Sequence, residues 1–172
     1  LGIHAYGNVG RNVARIAKGF GMEVLAYDAY CRAEDIKQEG VNPTCSVKTL
    51  YQGCEIVSVH IPLTSETRQI INKELLELLP ANAVMVNTAR KEVVNEADLL
   101  QHMIDNPKFK YVTDVAPDNQ AEIKEKAGDR YFATAKKMGA QTAEANVNAG
   151  IAAAHQIVDF LKNGNQKYRV NN

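Results

Sequence analysis

The run Leu1-Gly2-Ile3-His4-Ala5-Tyr6-Gly7-Asn8-Val9-Gly10 decides how this chain is read. Residues 1–5 are short and apolar enough for a buried strand. Val9, Val13, Ile16, Ala17 and Phe20 then recur at helical steps, and Gly21 lies where a helix C-terminal glycine is expected. Between strand and helix sits a glycine-spaced turn. Such a turn is a ready anion site, because unpaired N–H groups and the positive end of the helix dipole converge there. Gly7 would let a pyrophosphate approach the backbone, and Gly10 would let the helix pack closely on the strand. Ala5 stands where the dinucleotide fingerprint has its first glycine, so either φ stays negative there or the fingerprint is false. A plain tight turn is the competing reading.

Residues 22–28 read as a second strand, and it ends in Asp28, 18 residues after Gly10. A carboxylate at that place accepts hydrogen bonds from the adenosine ribose hydroxyls and repels a 2′-phosphate, which favours NAD over NADP. An ordinary loop acid is the alternative. Strand, glycine turn, helix, strand and acid in that order favour the cofactor.

Working outward, apolar runs alternate with helical patterns to the end of the chain, the signature of parallel βαβ units. Strands are expected at 1–5, 23–28, 55–61, 83–87, 110–114 and 131–134, giving an α/β, doubly wound parallel sheet of the Rossmann type. Asn72 and Asn95 are placed to cap helices over 73–79 and 96–104, which run into Pro80 and Asn106-Pro107. An Ala-rich pattern over 141–161 predicts a long closing helix, stopped by Gly164. The polar, aperiodic residues 165–172 read as a tail, leaving 1–164 as the folded domain.

The 172 residues suffice for one domain with its own core, and 20 Lys+Arg balance 20 Asp+Glu. No global field therefore draws the chain to nucleic acid or to an anionic membrane, and the expected partner is a small molecule. Cys31, Cys45 and Cys54 contain no C-x-x-C pair, so reduced thiols in a cytoplasmic protein are expected and no metal site. No apolar run approaches the roughly 18 residues a bilayer span needs, and no signal segment opens the chain. The chain begins at Leu1 inside a strand, from which a missing N-terminal portion is expected.

With these residues in view, the chain resembles the NAD-binding domain of the D-2-hydroxyacid dehydrogenases, and within them the D-3-phosphoglycerate dehydrogenases. The resemblance rests on 2–11, on Val59-His60-Ile61-Pro62-Leu63-Thr64 with Glu66-Thr67, and on Val86-Asn87-Thr88-Ala89-Arg90 with Val93-Val94. Thr113-Asp114-Val115 and Gly139-Ala140-Gln141-Thr142 match later blocks, and 156–164 match the final helix. It implies that Tyr6, Gly7, Asn8, Val9 and Gly10 form the pyrophosphate turn and that Asp28 holds the ribose. It further implies that His60, Ile61 and Pro62 line the cleft, and that Thr88, Ala89, Asp114, Gly139 and Ala140 serve the cofactor. Arg90 matches the family's substrate-binding arginine, whose fork suits the carboxylate and carbonyl of a 2-oxo acid.

Two departures stand out. The family's catalytic histidine falls on Lys137, and the carboxylate that polarises it falls on Asn119. His4, His60, His102 and His155 do not replace it in the local sequence, and each reads as structural or as part of the cleft block. The two changes make joint sense, because a carboxylate that helps histidine would only stabilise a lysine's ammonium form, whereas a like-charged neighbour such as Lys136 favours the neutral amine. Arg90 and Lys137 are the expected catalytic pair, and a solvated basic turn in an inactive homologue is the alternative for Lys136-Lys137. What the resemblance implies is hydride transfer between NAD and a D-2-hydroxy acid, with 3-phosphoglycerate in serine biosynthesis first and glyoxylate or hydroxypyruvate reduction open. A homodimer is implied as well. A non-metabolic, NAD-sensing module like the family's corepressor relatives is the alternative of a different class.

Overall fold

In the computed structural model, which describes residues 1–137 and 142–170, the glycine turn joins β1 (Gly2–His4) to α1 (Asn8–Gly19). There follow β2 (Leu25–Tyr27), α2 (Ala33–Gln38), β3 (Asn42–Pro43), α3 (Val47–Gly53), β4 (Ile56–Val59) and α4 (Lys73–Leu76). Then come β5 (Val84–Asn87), α5 (Glu96–Asp105), β6 (Lys110–Thr113), α6 (Gln120–Ala127) and β7 (Tyr131–Ala133). All paired strands are parallel, in the order β3-β2-β1-β4-β5-β6-β7. The chain thus winds outward from β1 to β3, returns to β4 on the other side of β1, and winds outward again. The crevice at the carboxyl ends of β1 and β4 is where such a sheet binds ligands.

The six expected strands are all present. The seventh, β3, has only two residues, one of them Pro43, and it is confined to the sheet edge because proline cannot donate to a ladder. Helix ends follow the local chemistry. Asn72 and Asn95 cap α4 and α5 by accepting from Leu75 N–H and Asp98 N–H. The helix expected over 73–79 ends at Leu76, because Leu78 and Leu79 donate three residues back and tighten the chain ahead of Pro80. After α1, Gly21 at φ 76° lets its own N–H reach the Lys18 carbonyl while Met22 N–H reaches that of Ala17, the paired bonds of a Schellman ending.

Buried apolar side chains form two clusters. One joins Ile3, Tyr6 and Ala26 to Ala14 and Ala17 of α1 and to Ile36 of α2. The larger one contains Leu50, Tyr51, Val57, Met85, Leu99 and Phe109.

The described residues from Lys136 onward make up a second compact unit. Its element is α7 (Ala143–Asn163), capped by the Thr142 side chain and ended by Gly164 at φ 66°. Among the described residues no helix is long and apolar enough to cross a membrane, and no group of His, Cys, Asp and Glu is arranged to hold a metal ion. The three cysteines are free.

Candidate cofactor and substrate site

The β1–α1 turn is built by three different demands. Ala5 adopts φ 81°, so neither expected alternative holds: φ is positive, and the turn is still that of the fingerprint. Its N–H donates to the Tyr27 carbonyl at 2.9 Å, which fixes the strand end and overrides alanine's preference. At Gly10 a Cβ would lie 2.3 Å from the Ala5 carbonyl oxygen and 2.9 Å from Ile3 Cγ2, so helix and strand can only meet through glycine here. At Gly7 a Cβ would point into open space. That space, over a helix N-terminus with no side-chain cap and no acid in its first turn, is where an anion can settle.

Asp28, one residue beyond β2, faces the turn. Its Oδ2 accepts from Tyr6 N–H at 2.7 Å, and its Oδ1 accepts from the N–H groups of Tyr30 and Cys31, both at 2.8 Å. A carboxylate has about four lone-pair positions, so a place remains for a ribose hydroxyl. Asp28 therefore also ties the turn after β2 to the glycine turn. To a bound anion Tyr6 can offer only its backbone, since the residue is 2% exposed.

Val9, His60, Ile61, Pro62, Leu63, Thr88, Ala89 and Arg90 line one cleft of about 350 Å³. The cleft residues named from the sequence are thus brought together, and Leu63 joins them. His60 sits at the end of β4, where its Nε2 meets Ser58 Oγ at 2.9 Å, and burial lowers its pKa to about 4. It stays neutral at physiological pH and suits hydrogen bonding, not proton donation. His4 is likewise lowered to about 4 by burial and shares a 3.0 Å hydrogen bond with the Tyr51 hydroxyl, a structural role. His102 is buried on α5, edge-on to Phe109, and His155 is exposed on α7.

The loop that carries Arg90 is held by a residue the sequence reading did not single out. Asn87, fully buried at the end of β5, accepts from Ala89 N–H at 3.0 Å and donates to the Arg90 carbonyl at 3.0 Å and to the Tyr111 hydroxyl at 3.2 Å. The available signal was a polar residue closing an apolar strand. Asp114, just past β6, keeps one buried carboxylate oxygen without a hydrogen-bond partner among the described residues, a place for a donor from a bound ligand. Asn119 donates its amide to the Glu96 carbonyl at 3.1 Å, the geometry of a strut between α5 and α6. Lys136 is exposed and Lys137 half-buried. Gly139 and Ala140 lie outside the described residues.

These features fit a dinucleotide: an open glycine cradle, a bare helix N-terminus, an acid at the ribose position and an unpartnered acceptor at the far end. Comparison with known proteins agrees. The profile of the "D-isomer specific 2-hydroxyacid dehydrogenase, NAD binding domain" family matches residues 1–139. A crystal structure of NAD+-bound 3-phosphoglycerate dehydrogenase from Entamoeba histolytica superposes with a TM-score of 0.86 at 40% identity, covering 99% of this chain and 54% of that one. Hydroxypyruvate reductase of Thermotoga maritima is 33% identical over 94% of this chain and 52% of its own length. D-3-phosphoglycerate dehydrogenase of Methanocaldococcus jannaschii is 30% identical over 94% of this chain and 31% of its own. The chain thus spans between about a third and a half of the curated relatives it matches. It belongs to the NAD-binding domain family of the D-isomer specific 2-hydroxyacid dehydrogenases, and its cofactor is NAD.

Proposed function

We propose that the protein moves a hydride between NAD and a D-2-hydroxy acid, with 3-phosphoglycerate, oxidised to 3-phosphohydroxypyruvate, as the first candidate substrate. The observation that carries this reading is the cleft, which places Arg90 beside Thr88 and Ala89 at the carboxyl end of β5 and beside His60 to Leu63. A guanidinium there pairs with the planar carboxylate of a 2-hydroxy or 2-oxo acid and orients its C2. Bound NAD supplies the hydride acceptor. Lys137 is the group assigned to take the hydroxyl proton on its Nζ as the C2–H bond breaks, and to return it in the reverse direction. Asn119, whose Nδ2 donates to the Glu96 carbonyl, is an amide and has no titratable proton to exchange with it.

The substrate choice draws on the 40% identity to the Entamoeba phosphoglycerate dehydrogenase. The 33% identity to the Thermotoga hydroxypyruvate reductase favours a second reading, reduction of hydroxypyruvate or glyoxylate. In either case residues 1–164 form the NAD-binding domain and 165–172 its polar tail, with a further substrate domain, a homodimer and a cytoplasmic setting. Steady-state assays with 3-phosphoglycerate and NAD, and with hydroxypyruvate or glyoxylate and NADH, decide between the substrates by kcat/KM. In the protein complete with its substrate domain, NADH binding without turnover of any of them overturns the enzymatic reading and favours an NAD-sensing module.

A further inference from the structure

Asp28 is not the only charge at the turn after β2. Arg11, in the first turns of α1, reaches the same turn: its Nη2 donates to Cys31 Sγ at 3.3 Å, and Cys31 N–H donates to Asp28 Oδ1 at 2.8 Å. A guanidinium in reach of the ribose 2′ position is what a 2′-phosphate needs, since the arginine fork matches phosphate oxygens. Here that fork is engaged elsewhere. Arg11 forms an ion pair with Glu39, the residue that ends α2, and lies over the Tyr6 ring at 4.8 Å. Glu39 is fixed in turn: the Tyr6 hydroxyl donates to its Oε2 at 3.0 Å, and Lys18 Nζ donates to its carbonyl at 2.9 Å. Because Tyr6 also donates its N–H to Asp28, one residue holds both acids in place. Arg32, the other cation of this turn, is held by both carboxylate oxygens of Asp35 at 3.0 and 2.7 Å.

Resting on the reading of Asp28 as the ribose acid, we propose that Glu39 is a second cofactor-selectivity residue, which holds the Arg11 guanidinium in an ion pair and so withholds it from a 2′-phosphate. Asp28 repels the phosphate directly. Glu39 removes the cation that could offset that repulsion, so the preference for NAD is set by two acids, 11 residues apart in the chain and joined through Tyr6.

The Arg11 and Glu39 side chains are 34% and 41% exposed, so solvent screens the pair and the expected effect is modest. Titration of the purified protein with NADH and NADPH, followed by nucleotide fluorescence, tests it in the wild type, D28N, D28N/E39Q and D28N/E39Q/R11Q. D28N/E39Q should bind NADPH about fivefold tighter than D28N, with NADH affinity changed by less than about twofold, because only NADPH carries the extra phosphate. Adding R11Q should cancel the gain. A gain that survives R11Q, or a D28N ratio that E39Q does not move further, overturns the proposal alone. A D28N ratio equal to the wild type's overturns the Asp28 reading on which it rests. E39Q is nearly isosteric at a partly exposed position, and a melting curve checks its fold. Tyr6→Phe, which removes only the hydroxyl that fixes Glu39, should move the NADPH ratio in the same direction.

Discussion

A methyl group added at Gly7 and the same methyl added at Gly10 should do opposite things. At Gly10 the new Cβ would sit 2.3 Å from the Ala5 carbonyl oxygen and 2.9 Å from Ile3 Cγ2, where a backbone atom cannot swing aside. Overpacking of this kind costs roughly 1–3 kcal/mol and more when backbone must move, so about 3 kcal/mol is expected for Gly10→Ala. At about 3 °C per kcal/mol for a domain of this size, the melting temperature should fall by roughly 9 °C. Gly7 has φ −79°, which alanine adopts freely, and its Cβ would meet nothing within 4 Å. Gly7→Ala should therefore melt within about 2 °C of the wild type, since substitutions free of strain and contacts stay within about 0.5 kcal/mol. The methyl would instead occupy the space a pyrophosphate needs against the N–H groups of α1, and NADH affinity should drop at least about tenfold, the loss of roughly one charge-assisted hydrogen bond. Thermal melts and NADH fluorescence titrations of the two variants separate the effects. If Gly7→Ala keeps its affinity, or melts below Gly10→Ala, the pyrophosphate does not lie on this turn.

Three further outcomes follow from the site. In the enzyme complete with its substrate domain, Lys137→Ala should lower kcat by about a hundred- to ten-thousand-fold with NADH affinity nearly unchanged, and Lys136→Ala should do far less; equal losses from both would show that position 137 is not the proton carrier. Asn87→Ala removes three hydrogen bonds made by a buried side chain, at roughly 1 kcal/mol each, so melting should drop and, in the enzyme complete with its substrate domain, KM for the oxo acid should rise as the Arg90 loop loosens; a variant with wild-type melting and KM would remove Asn87 from the site. His4 and His60 are lowered to about 4 in the folded state from 6.5. The unfolded chain therefore binds the extra protons between those values, and stability is complete above pH 6.5 and lost as pH falls toward 4, by up to about 1.4 kcal/mol per pH unit for each imidazole. Melting curves across that range check it, and His4→Gln should flatten the slope; a flat wild-type profile down to pH 5 would refute the burial argument.

The parts legible in the sequence are those whose cause is local. Apolar period and glycine spacing mark β1, α1 and β2, and a cap needs only its own helix, so Asn72 and Asn95 were found where they act. The cleft residues were legible as two contiguous blocks at strand ends, His60 to Pro62 and Thr88 to Arg90. What could not be read depends on distant partners or on very short elements. The six-residue α2 buries only Ile36, too little for an apolar period, and β3 is a two-residue edge strand containing proline. Asn87 acts through Tyr111, 24 residues on, and Glu39 through Tyr6, 33 residues back, contacts that exist only once the sheet order is set.

The glycine turn also shows why a fingerprint should be read as separate physical constraints. Its first position asks for positive φ, and Ala5 supplies it at a cost of roughly 1–2 kcal/mol, partly offset by burying its methyl at about 0.8 kcal/mol. That is a preference a stable sheet can override. The third position is a steric prohibition, because the Gly10 Cβ would collide with the very carbonyl that Ala5 presents. At the middle position, Gly7, a Cβ would meet nothing in the fold, and the constraint proposed for it is the approach of a ligand. An alanine at the first position therefore says little against a dinucleotide site, whereas any side chain at Gly10 would say a great deal against the fold, and any side chain at Gly7 would say it against NAD.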